Sequence, residues 1–330
     1  MRPNHLRRRE FVALLGCAAA TWPLAARAQR QAMPAIGFLS SISEEAFILA
    51  AFRRGLSDQG YVESRNVRIE YRYAHGDYDR LPALATELVS VPVAVIVTLP
   101  SSPAALAAKA ATPKIPIIFS LGADVVELGL VASYNLPGGN ATGVSLIPTP
   151  LTPKRLGLLD GLLPKSAPVA LMVNATNRLA AAESKIAEEA ARALGRELIV
   201  VPASTAGEID AGFESMTRQG AGGLVVWQEA FLESRRDQIV ALAQRHRLPA
   251  IYPIRQFPEI GGLISYGANT SETYRQVGIY TGRILKGEKP ADLPMQQATK
   301  FELVINLRTA KALGIGIPPM LLAVADEVIE

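Results

Sequence analysis

The chain has 330 residues, a formal charge of +4, one cysteine and three histidines. The whole excess charge lies in residues 1–28, where Arg2, Arg7, Arg8, Arg9 and Arg27 face Glu10 alone, so the remainder is formally neutral and gives no electrostatic case for a nucleic-acid or anionic-membrane partner. Cys17 and His5 lie in that segment too, which leaves about 300 residues, enough for two domains, without a disulfide, a thiolate nucleophile or a typical His-rich zinc site.

The first segment reads as an address. Arg7 to Arg9 form a basic region, Phe11 to Leu24 is apolar or small apart from Thr21 and Pro23, and Ala26-Arg27-Ala28 has the A-x-A form of a cleavage site. A secretory signal peptide over 1–28 is expected, with Gln29 the first mature residue. A membrane span needs roughly 20 apolar residues, and Pro23 and Arg27 interrupt the run before that. Arg8-Arg9-Glu10-Phe11-Val12 fits a twin-arginine signal, favoured over the ordinary Sec route. Leu14-Leu15-Gly16-Cys17 competes as a lipoprotein cleavage site, but only about five apolar residues separate it from Arg9, short of an ordinary h-region. Periplasmic export without lipid anchoring is the expected outcome.

Beyond residue 28, short β-branched runs alternate with longer helical patterns, the mark of βαβ units on parallel sheets. Strands are predicted over Ala35 to Leu39, Val67 to Tyr71, Val93 to Thr98 and Ile115 to Ser120, with helices over Glu44 to Gln59, Tyr78 to Ser90 and Pro103 to Ala111. The segment NLPGGNATGVSLIPTPLTPK, rich in Gly, Pro and Thr, reads as a connection between two lobes. The plan then repeats, with strands over Val169 to Asn174, Glu197 to Pro202, Gly223 to Trp227, Ala250 to Pro253 and Leu263 to Tyr266. Helices are predicted over Ala180 to Leu194, Ile209 to Gln219 and Leu232 to His246. A further helix over Thr273 to Leu285 and a strand over Phe301 to Ile305 follow, enough to return the chain to the first lobe and form a hinge. The expected class is α/β, two Rossmann-like lobes with parallel sheets.

Motifs for catalysis are sparse. No phosphate-binding loop G-x-x-x-x-G-K-[ST] occurs, and Gly143-Val144-Ser145-Leu146-Ile147 lacks the closing glycine of a nucleophile elbow. His246 reads as a helix C-cap and His75 as a solvated turn residue. Neither a catalytic residue, nor a metal site, nor a cofactor is expected. Ligands of open α/β sheets bind at the carboxyl ends of strands, which singles out polar and aromatic residues there. They are Ser40, Ser41, Thr98, Ser101, Ser120 and Asp124 in the first lobe, and Asn174, Trp227, Gln228, Glu229, Tyr252 and Tyr266 in the second. Hydroxyls and amides there can hold a carboxylate, and Asp124 or Glu229 can pair an amine. The plain alternatives are helix capping for Ser40, Ser101, Ser120 and Asp124, and core packing for Trp227.

The stretches GFLSS, FRRGLSDQGYVESRNVRIEYRYAHG, IPIIFSLGADVVELGLVASYNLPGGNATGV, RLPAIYPIRQFPEIGGLISYGAN and KFELVINLRTAKALGIGIPPMLLAVADEVIE resemble the periplasmic substrate-binding proteins of ABC transporters. They point to the branch that includes tryptophan- and tyrosine-binding members. The resemblance implies a type I periplasmic-binding architecture with about three crossings between lobes. It places the first lobe at 29–145 plus about 268–299 and the second at 146–267 plus about 300–330. It implies a receptor that captures a small solute, an amino acid or related carboxylate, by hinge closure and passes it to an ABC permease and ATPase complex in the inner membrane. Such a receptor is expected to be a monomer and to catalyse nothing. Ser40-Ser41, Thr98 and Ser120 would hold the ligand carboxylate. Two departures, Asp124-Val125 for Asp-Pro and the VVWQEAF stretch for an Asp-Asn element, stop any transfer of aromatic amino-acid specificity. The rival readings are an exported α/β enzyme at the same cleft, with Asp124 or Glu229 as general base, and a ligand-sensing ectodomain for a signalling partner.

Overall fold

The computed structural model describes residues 33–146, 151–164 and 167–330; the expected signal segment, Cys17 included, lies outside the described residues. Two sheets organise the chain. The first runs β11-β5-β4-β3-β1-β2, from β1 (Ala35–Ser40), β2 (Arg68–Tyr73), β3 (Val95–Thr98), β4 (Ile117–Leu121), β5 (Ala141–Ser145) and β11 (Gln296–Gln297). Every pairing in it is parallel. The second runs β13-β12-β10-β9-β8-β6-β7, from β6 (Val169–Val173), β7 (Leu198–Pro202), β8 (Gly223–Val226), β9 (Ala250–Tyr252), β10 (Ile264–Ala268), β12 (Phe301–Asn306) and β13 (Glu327–Ile329). Only β10 and β12 pair antiparallel.

The sequences explain the layering. Strands β1, β3, β4, β6 and β8 are buried at every position, as parallel strands covered by helices on both faces must be. β2, RIEYRY, lies at the edge, where its charged residues tolerate water and discourage pairing with another chain.

The chain passes between the sheets three times: after β5, between β10 and the Thr270–Leu285 helix, and between β11 and β12. That helix packs on the Ala46–Asp58 helix beneath the first sheet, and two glycines set the approach. A Cβ on Gly55 would lie 1.9 Å from the Arg275 carbonyl oxygen, and one on Gly278 2.2 Å from that of Phe52. Because the obstacle is backbone, Gly55→Ala should cost about 3 kcal/mol of unfolding free energy, measurable by chemical denaturation.

The structure corrects the segment read as a connection. Ala141–Ser145 is a fully buried strand between β4 and β11, and Thr152–Asp160 is a helix against the second sheet. Gly143 reads as a loop residue, yet it is needed for tight packing, since a Cβ there would meet the Phe119 carbonyl oxygen at 2.0 Å. The helix expected over Leu232 to His246 starts at Ala230 and breaks at Arg235 into Ala230–Ser234 and Arg236–Arg245. Near the end, Leu307–Leu313 and Pro319–Ala323 are helical, which the hydrophobic pattern does not announce.

Candidate functional site

The carboxyl ends of β3 and β4 face those of β6 and β8, and two adjoining cavities lie between them. The larger, about 230 Å3, is walled on one side by the turn after β4, with Gly122, Ala123, Asp124 and Glu127. On the other side are Thr152 and Arg155 from the Thr152–Asp160 helix, Glu183 and Ile186 from the Ala180–Ala193 helix, and Trp227 and Gln228 after β8. The smaller, about 40 Å3, shares Trp227 and Gln228 and reaches Ser101, Ser102, Asn177, Glu229 and Glu233.

Each expected site residue has a definite place. Ser101 caps the Ser102–Ala111 helix by accepting from Ala104 N at 3.1 Å, and Ser40 Oγ accepts from Ile42 N at 3.3 Å. Asp124 Oδ1 accepts from the amides of Val126 and Glu127 at 2.8 and 3.1 Å, so its carboxylate holds the turn that forms the rim. Asn174 Oδ1 accepts from Thr176 N and Oγ1. Ser41 is buried beside Tyr78. Thr98 Oγ1 and Ser120 Oγ are buried with no hydrogen-bond partner among the described residues, as is Gln228 Nε2. Ser40, Ser41, Thr98 and Ser120 line neither cavity, so the hydroxyls expected to hold a carboxylate do not face either one. Tyr252 stacks on Phe257 with centroids 4.5 Å apart in the core of the second lobe, and Tyr266 stacks on Phe301; neither lines the cavities. Trp227 lines both cavities while 93 % of its surface is covered, so one side chain serves core and cleft.

Glu229 ties the lobes together. Its Oε2 accepts from Phe231 N at 2.9 Å and Leu232 N at 3.3 Å, capping the Ala230–Ser234 helix. Its Oε1 accepts from Asn177 Nδ2 at 3.3 Å and from the Tyr78 hydroxyl, which comes from the opposite lobe. Burial raises the pKa of Glu229, opposed by these hydrogen bonds, and raises that of Tyr78 as well. Nearby, Glu45 at the start of the Ala46–Asp58 helix takes Arg236 in a bidentate pair at 3.0 Å, with the guanidinium 5.9 Å from the Phe47 ring centre. Between these contacts Glu233 is buried, and its carboxyl is pushed up to about 8 by desolvation and then by the charge of Glu229.

Sequence reading overlooked Arg155, Glu183, Glu233, Asn177 and Tyr78. A signal for Arg155 was present: Thr152, Arg155, Leu156 and Leu159 recur at three- and four-residue spacing, placing an arginine on the buried stripe of its helix. Arg155 is 1 % exposed, and burial lowers its pKa to about 10.

A two-lobed cleft with polar walls has counterparts among known proteins. The family model described as ABC transporter substrate binding protein matches residues 36–329. This chain belongs to that family. The substrate-binding protein is 27 % identical over 264 residues to a tyrosine-binding protein of Clostridioides difficile, covering 80 % of this chain and 75 % of the relative. It resembles the solved structure of an ABC domain in complex with L-Trp from Streptococcus pneumonia, with a TM-score of 0.81, 25 % identity, and coverage of 90 % of this chain and all of the other. Against a ligand-free, open substrate-binding protein with adhesive properties from Clostridium difficile the TM-score is 0.62, at 24 % identity, with 90 % and 99 % of the two chains covered. These are type I periplasmic-binding folds, and the substrate-binding proteins of ABC importers work outside the cytoplasm. No helix among the described residues is long and apolar enough to cross a membrane.

Proposed function

We propose that this substrate-binding protein is the periplasmic receptor of an ABC importer, that it captures an amino acid or related small carboxylate by lobe closure, and that it works as a monomer without catalysis. Its partners are a permease and ATPase complex in the inner membrane. The observation that carries the reading is a cavity walled from both sheets whose lining includes Gln228, with Nε2 buried and without a hydrogen-bond partner among the described residues. Leaving such a group unpaired in a water-poor site is costly, and a polar solute can satisfy it. Because the ligand would touch both lobes only when they are closed, its affinity is drawn from the closed form and it shifts the hinge equilibrium.

Binding fits better than turnover. Both carboxylates that could act as a base are engaged, Asp124 by two backbone amides and Glu229 by two amides, Tyr78 and Asn177. The tyrosine-binding relative and the L-Trp complex support an amino acid as cargo. Thermal unfolding of the purified protein against amino acids, small carboxylates and sugars tests this. At a hundredfold excess over Kd a ligand adds about 2.7 kcal/mol, a rise of several degrees. No shift with any amino acid or carboxylate would remove that ligand class.

A further inference from the structure

The larger cavity carries charges of both signs that do not neutralise each other directly. Arg155 donates from Nε to the Tyr266 carbonyl oxygen at 2.8 Å and from Nη2 to Gln228 Oε1 at 3.0 Å, both neutral acceptors. Its Nη1 has no acceptor among the described residues, although Arg155 is 99 % covered and lines the cavity. Glu183 lines the same cavity and accepts from the Thr152 hydroxyl. It feels the charge of Arg155 but forms no direct ion pair with it. Leu151, Leu179, Ala182, Ile186 and Trp227 complete the wall, and the rim adds only Asp124 and Glu127.

We propose that Arg155 and Glu183 are the two poles of a zwitterion site, the α-carboxylate of a free amino acid lying on Arg155 Nη1 and its α-ammonium on Glu183, with an apolar side chain against Trp227. This rests on the solute-receptor reading. Burying charge is expensive, and a neutral sugar would bring no charge to either pole, leaving Arg155 and Glu183 only each other's field. A plain carboxylate would answer Arg155 while adding charge beside Glu183, Asp124 and Glu127. A plain amine would leave Arg155 alone. Only a solute with both charges close together satisfies the wall. Size agrees: a cavity of about 150 Å3 holds benzene, so about 230 Å3 leaves room for an amino-acid head group and a modest apolar side chain. The assignment puts the carboxylate anchor on the second lobe, where the family resemblance implied first-lobe hydroxyls.

Titration calorimetry with matched probes decides the matter: L-tryptophan, L-tyrosine and L-leucine, the deaminated acids and decarboxylated amines of each, and myo-inositol. At least one amino acid should bind at least tenfold more tightly than both of its single-charge analogues. Glu183→Gln should weaken it at least tenfold and narrow its advantage over the deaminated acid. Arg155→Lys should narrow its advantage over the amine. Because Arg155 is fully buried and its variant can fail to fold, the partly exposed Glu183 provides the deciding variant. An acid, an amine or myo-inositol binding as well as any amino acid, or Glu183→Gln leaving affinity and discrimination unchanged, would overturn the zwitterion site. Tight binding of myo-inositol alone would do so while leaving the receptor reading intact, whereas failure of every probe to bind would remove the zwitterion site and these amino acids as cargo together.

Discussion

Replacing Tyr78 by phenylalanine should weaken ligand binding by about ten- to a hundredfold while leaving both lobes folded. The hydroxyl donates to Glu229 across the cleft, so its loss removes a bond made only when the lobes meet. Hydrogen bonds to charged groups contribute about 1.5 to 3 kcal/mol, which sets the size of the effect. Each lobe keeps its own core, since the buried clusters around β6, β8 and β9 and those around β1, β3 and β4 do not depend on that hydroxyl. Far-ultraviolet circular dichroism should therefore match the wild type while Kd rises. Small-angle scattering should report a larger radius of gyration without ligand. Unchanged affinity would mean that Tyr78 makes no difference between open and closed forms.

Ligand affinity should fall with rising pH between about 5 and 8, by up to tenfold per unit. The cause is Glu233, whose carboxyl keeps its proton up to about pH 8 in the closed form, against an ordinary value of 4.5. Glu229, Arg155, Arg236, Glu45 and Tyr274 surround it, and desolvation outweighs the two arginines. The raised value fixes the sign. Below the ordinary carboxyl range both open and closed forms are protonated and closure carries no penalty. Between that range and pH 8 the closed form holds a proton that an open, hydrated Glu233 gives up, so each unit costs closure about 1.4 kcal/mol. Above pH 8 the full penalty is present. Glu233→Gln should flatten the slope, leaving what the buried Glu229 and Glu183 contribute, and tighten binding in the alkaline range relative to the wild type, because a neutral amide of the same shape needs no proton. A wild-type Kd that stays flat from pH 5.5 to 8.5 would show that Glu233 does not change its surroundings on closure.

The elements that sequence reading located well are those whose signal is local. Ala35–Ser40, Val95–Thr98 and Val169–Val173 stand out because a strand covered on both faces must be apolar along its length. Ala141–Ser145 was missed because Gly143, a loop residue by composition, is demanded there by the nearby Phe119 carbonyl. Within the site, Trp227, Gln228, Glu229, Ser101 and Asp124 were legible from position at strand ends, and the cavities do gather them. Tyr252 has the same kind of position but turns into the core against Phe257, a choice made by packing that alternation cannot foresee. Arg155 follows directly on the stretch that reads as a connection, which ends at Lys154, and only its helical spacing marks it.

By itself the sequence determined the alternation of strand and helix, the doubling into two halves and the absence of any cysteine after Cys17. Each of these depends on residue type and short-range period alone. The tertiary structure decided which polar groups meet. Tyr78 and Glu229 are 151 residues apart, and Arg155 and Gln228 are 73 apart. Whether such groups touch depends on how two sheets turn their carboxyl edges towards each other, and that is settled by the three crossings and the packing beneath them, which no local pattern encodes.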